Sequence, residues 1–142
     1  MISFKYGIKR KDFYLLHPGV LAIYGFIANI SLNRCGLIPS ITSTIRLKTT
    51  DSGIHEVGCA LDCSRMQYEE NGTAVLGNIP TDIINEMVQK ANEAFPRHDK
   101  YKSVIYHDVG YGPHFHIQVP FIKAWESHAV EIRKLLIERS SP

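Results

Sequence analysis

Apolar positions along this chain change their period several times, and each change predicts an element. From Pro18, the residues Leu21, Tyr24, Ala28, Leu32 and Cys35 recur at helical spacing until Gly36. This predicts a first core helix, entered at a proline and stopped by a glycine. After Pro39 residues 41–47 alternate and are rich in β-branched side chains, which predicts a strand with Thr42, Thr44 and Arg46 on one face. Residues 57–63 read as a second short strand, and the polar stretch 68–78 as an exposed loop or hairpin turning at Asn71-Gly72. Ile83, Ile84, Met87, Val88, Ala91 and Phe95 then mark an amphipathic helix that begins near Thr81 or Asp82 and is ended by Pro96. The runs 103–109 and 114–119 flank Gly110-Tyr111-Gly112-Pro113 and predict an antiparallel hairpin closed by Pro120. Trp125, Ala129, Ile132 and Leu136 space a C-terminal helix over 124–138. Together these elements describe an α+β fold, a small antiparallel sheet flanked by helices.

With 142 residues the chain is long enough to bury a core without staples, and no repeat or linker divides it, so a single domain over 1–142 is expected. Its three cysteines cannot all pair, and Cys59 and Cys63 are too close for an easy bridge, which points to free thiols and a reducing site of synthesis. Basic Lys5, Lys9, Arg10 and Lys11 before the apolar stretch 20–28 imitate a signal peptide. His17-Pro18-Gly19 breaks that pattern, and no cleavage site comes after it. No run of about 20 apolar residues provides a membrane span. A net charge of +2 without any block of like charge argues against nucleic acid as a partner.

The candidate chemistry lies in the histidines, of which there are seven. Side chains alternate along a strand, so His114, His116 and Gln118 share one face while Phe115, Ile117 and Val119 share the other. A polar strand face bearing two imidazoles can present a metal ligand beside a general base. Upstream, His55 and Asp62 bracket Gly58 and Ala60, so a loop and the strand after it deliver an imidazole and a carboxylate. These are two of the three protein ligands of a hydrolytic zinc, whose fourth position holds water, and the strand bearing His116 can supply the third. Cys59, Leu61 and Cys63 fall on the face opposite Asp62, as core thiols rather than ligands. His55-Glu56 begins like a helical H-E-x-x-H signature, but Cys59 stands at the second histidine position. His17, His98 and His128 read as surface or capping residues, and His107, which alternates away from Asp108, reads as structural. Trp125 reads as packing for the last helix.

At these residues the sequence resembles the zinc peptidases related to D-alanyl-D-alanine carboxypeptidases, phage L-alanyl-D-glutamate endolysins and the hedgehog signalling domain. Their shared pattern is a His with an Asp seven positions later, and then His-x-His. His55 with Asp62 matches the first element, including its internal Gly58 and Ala60, and His114 with His116 matches the second. The resemblance covers residues 40–120 and implies a hedgehog/DD-peptidase-like zinc fold. It implies one Zn²⁺ on His55, Asp62 and His116, with His114 orienting or polarising the reacting groups and Arg46 facing the site from the preceding strand. Because Pro113-His114-Phe115 also matches a ligand motif of some endolysins, His114 stays open as the third ligand, with His116 favoured. Many relatives carry a Glu or Asp within a few residues before the first histidine of the pair; here Gly110 to Pro113 occupy that stretch, so Asp108, the nearest carboxylate, or His114 itself is the expected base. Ser52 stands three positions before His55, where relatives place a serine two before.

The activity implied is hydrolysis of peptidoglycan stem peptides, by a monomer, as a D-Ala-D-Ala carboxypeptidase or an endopeptidase. Without an export signal, a phage or prophage product acting on the cell wall is the expected setting. The alternative is an inactive zinc-binding domain of the same fold that serves stability or partner binding.

Overall fold

The computed structural model describes residues 2–47, 53–110 and 112–140, and Ser52 lies outside them. A two-residue strand, β1 (Ser3–Phe4), leads into a 3-10 segment (Arg10–Leu15) and helix α1 (Pro18–Cys35). The chain continues through β2 (Ser40–Ser43), a 3-10 turn (His55–Val57), β3 (Ala60–Ser64), β4 (Met66–Tyr68) and β5 (Val75–Asn78). Helix α2 (Thr81–Ala94), β6 (Val104–Asp108), β7 (Pro113–Gln118) and helix α3 (Glu126–Ser140) complete it. Five strands form one sheet in the order β1-β2-β3-β7-β6, and β4 with β5 forms a separate hairpin across the Asn71-Gly72 turn. The α+β class stands, with one correction: β1 and β2 run parallel, so the larger sheet is mixed. The cause is α1, a crossover helix that returns the chain to the same end of the sheet.

Burial divides the sheet as alternation requires. Phe115 and Ile117 of β7 and Leu61 and Cys63 of β3 are fully buried on the face where α1 and α2 pack, while His114, His116 and Gln118 stay partly open on the other. Burial raises the Cys59 thiol to about 11 and drives Cys63 well above its usual value, so both are core thiols. Phe26 and Phe95 meet edge to face between α1 and α2, with ring centroids 5.5 Å apart. The Asn92 amide of α2 accepts from Val104 N–H and donates to Val104 C=O, covering the outer edge of β6 at that residue.

Three local expectations shift. The buried face of α1 is Val20, Ile23, Tyr24, Ile27, Ala28 and Ser31, whereas Leu32 is exposed. Apolar residues encircle this helix, so spacing alone selects no face. β2 ends at Ser43, not at residue 47, because its register with β3 slips between Ile41 and Ser43. Such a bulge ends regular pairing and re-aims the next few residues: Thr44 and Ile45 turn inward, and Arg46 emerges beyond the strand. Finally, β3 starts at Ala60, since His55–Val57 forms a 3-10 turn closed by Gly58 at φ +76°.

Helix α3, with the 3-10 segment Lys123–Trp125 that leads into it, clamps that turn. Trp125 Nε1 donates to Val57 C=O at 2.6 Å, Glu56 pairs with Arg133 at 3.6 Å, and Ile132 lies against Gly58. At its far end Arg139 grips buried Asp12 through two bonds of 2.7 and 2.9 Å. His17 caps α1, accepting from Gly19 N–H at Nδ1, and its ring meets Trp125, which also stacks on His128. Among the described residues, no helix is long and apolar enough to cross a membrane.

This packing has two measurable consequences. Gly58→Ala forces a side chain into the left-handed region and against Ile132, so unfolding measurements will show a loss of about 1–3 kcal/mol. His17 is held below its ordinary 6.5, first by burial and then by the charge of His128. A depressed imidazole means that the unfolded chain binds the proton more readily, so this stability is complete above pH 6.5 and drains away as pH falls through the folded value. In chelator-treated protein, acidification from neutral pH will therefore cost wild type more stability than His17→Asn, which caps without titrating.

Candidate metal centre

The polar face of the sheet gathers its charged groups at one point. Register places Asp62 of β3 directly opposite His116 of β7, so their side chains rise on the same side, and the 3-10 turn lowers His55 beside them. Ligand atoms of His55, Asp62 and His116 lie within 4.8 Å of one another, and this group can hold a metal ion. His55 and Asp62 are buried, while His116 is partly open.

Each imidazole is oriented by a bond made away from the carboxylate. His55 Nδ1 donates to the Thr44 carbonyl at 2.7 Å, so that in a neutral ring the lone pair is on Nε2. That Nε2 is buried without a hydrogen-bond partner and stands 3.4 Å from Asp62 Oδ2. A lone pair turned towards a carboxylate is unfavourable unless a cation or a proton lies between them, and this atom is the observation by which the residues fit a metal. His116 sets Nδ1 2.9 Å from Asp62 Oδ1 and Nε2 3.2 Å from the Gln118 amide oxygen. With a proton held on Nε2 by Gln118, Nδ1 is the nitrogen left for a cation. His114 Nδ1 donates to Gly112 C=O at 3.0 Å, and its Nε2 comes to 4.0 Å from Asp62 Oδ1.

Burial alone would push the Asp62 carboxyl upward, but the His116 and His55 imidazoles outweigh it and hold Asp62 well below the usual carboxylate range. Asp62 is therefore ionised, as a ligand must be. Arg46 adds a positive neighbour: its Nη1 is 3.7 Å from Asp62 Oδ2 and donates to Ser43 Oγ at 3.1 Å.

Of the residues singled out in the sequence, the structure brings together His55, Asp62, His114, His116 and Arg46. It does not bring Asp108. That residue pairs with Pro113 at the end of the hairpin, on the strand face opposite His107, and its Oδ1 accepts from Gly110 N–H at 2.8 Å and Gly112 N–H at 3.0 Å. Its carboxylate closes the turn, and the base role expected of it finds no support there. His107, read as merely structural, is placed among the histidines: it is paired directly with His114, with ring centroids 4.9 Å apart, and lies 5.9 Å from His116. Burial and then the charges of His114 and His116 hold its imidazole below the ordinary value. Pairing Asp108 with Pro113 across the turn would have revealed this from sequence, because residues directly opposite in a ladder share a face. The supports at Thr44 and Gln118 carry no such signal, although alternation places Gln118 on the histidine face.

Comparison with known proteins finds no matching family model, no matching curated protein and no matching solved structure.

Removing ligands and removing their supports have separable consequences. His55→Ala or Asp62→Asn will abolish tight metal binding, whereas Gln118→Ala will retain it with affinity lowered about 10–100-fold. Competition with a chromophoric chelator measures both. Lowering the pH will weaken binding in every form that retains it, as protons compete for the ligand nitrogens.

Proposed function

We propose that this protein is a zinc-dependent peptidase acting on peptidoglycan stem peptides. The observation that carries this reading is the convergence of His55, Asp62 and His116 with both imidazoles pre-oriented, at the residues by which the sequence resembles the zinc peptidases of cell-wall metabolism. Two imidazoles and one carboxylate make a donor set suited to zinc, and three protein ligands leave a position open for reaction. His55, Asp62 and His116 would hold the zinc, which when bound would supply a Lewis acid able to polarise a carbonyl and activate water near neutral pH.

The remaining roles belong to the chain. Arg46, at the rim beside Asp62, offers a planar guanidinium that stabilises negative charge on an attacked carbonyl or seats a substrate carboxylate. His114 holds or takes a proton at Nε2, because Nδ1 is committed to Gly112. A D-Ala-D-Ala carboxypeptidase and an endopeptidase would both use these groups, differing in whether Arg46 meets a terminal carboxylate.

A second reading is favoured by one observation. Asp108 is engaged in its turn, and no second carboxylate joins the metal group among the described residues. A domain with zinc but without turnover fits that fact, and the two readings separate in one assay. Zinc-loaded protein incubated with purified peptidoglycan should release peptides, lose this activity to chelator and regain it with zinc. His114→Ala should abolish turnover while keeping the metal, and Arg46→Ala should lower kcat/KM by about 10²–10³-fold. Stoichiometric zinc without product would establish the binding domain instead.

A further inference from the structure

His107 has no part in the chemistry proposed above, yet it lies across the β6–β7 ladder from His114 with the two rings 4.9 Å apart at an interplanar angle of 63°. Two imidazoles bound to one ion through bonds of about 2.0–2.1 Å have ring centroids roughly 4.5–5.5 Å apart, so the spacing of this pair is compatible with a shared ion. For comparison, His55 and His116 within the first group are 5.6 Å apart. The ladder fixes the pairing: Gln118 N–H donates to Ser103 C=O, and counting inward makes His107 and His114 a directly hydrogen-bonded pair. The Gly112 carbonyl holds a proton on His114 Nδ1 and thereby leaves Nε2 as the donor atom.

We infer that His107 and His114 form a second divalent-cation site, adjacent to the first and weaker than it. It is weaker because, among the described residues, no third His, Cys, Asp or Glu joins the pair at the spacing found for His55, Asp62 and His116. One bond fewer should lower affinity at least about tenfold, and the ion completes its shell with water. An ion seated there takes the His114 lone pair. Excess zinc would thus suppress the turnover that the first zinc supports, a consequence that rests on the peptidase reading, whereas the binding does not.

The test is equilibrium dialysis of the full, metal-free chain against zinc alone, with bound metal measured directly. Wild type should take up one tight ion and then a second at least about tenfold more weakly. His107→Ala and the more conservative His107→Gln should lose the second ion and keep the tight one, which also certifies their folding. His55→Ala should lose the tight ion and keep the weak one. Saturation of wild type at a single ion, or a second ion retained in both His107 variants, would overturn the inference. Because metal uptake is the readout, a chain with no peptidase activity answers the question equally well.

Discussion

A carboxylate withdrawn from water governs the polar side of this molecule. Asp62 is 6% exposed, and an ionised group in such a place needs positive or proton-bearing neighbours with hydrogen bonds of their own. It receives His55 from a 3-10 turn, His116 from the adjoining strand and Arg46 from the segment beyond β2. Those neighbours are themselves tethered. The bulge that ends β2 delivers the Thr44 carbonyl to His55, and Gln118, two residues along the same strand face, steadies His116. Removing one tether therefore loosens the centre without dismantling the fold.

The apolar side enforces the same geometry. Leu61 and Cys63 in β3 and Phe115 and Ile117 in β7 are wholly buried, so a slip of one residue between these strands would expose the core and bury His114 and His116. Hydrophobic burial thus holds the register that sets Asp62 opposite His116, and core and candidate metal site answer to one constraint. The 3-10 turn depends instead on Trp125, just before α3, against Val57, and on α3 through Arg133 on Glu56 and Ile132 over Gly58. A helix with no residue in the centre in this way positions His55.

Several of these features are legible in the chain as written. The period-2 pattern across 114–119 separates histidines from core, and the same alternation puts Asp62 opposite Cys59, Leu61 and Cys63. The bounds of α1 and α2 can be read from proline, glycine and spacing, and Trp125, Ala129, Ile132 and Leu136 mark the buried stripe at α3. Where local signals conflict, the reading fails. Apolar residues around all of α1 conceal its inner face, and β-branched residues at 41–47 suggest a strand that the bulge cuts short.

The sequence by itself determined which residues share a face in β3, β7 and α2, because that depends only on the repeat of a helix or strand. Alternation placed Asp62, His114 and His116 away from the core, and the spacing of His55 to Asp62 added the fourth candidate. Tertiary structure decided which imidazole nitrogen faces Asp62, that Arg46 reaches it, that Asp108 closes a turn and that His107 meets His114. These are matters of register and of contacts between distant segments, set by packing and turn geometry, which no periodicity within one segment encodes.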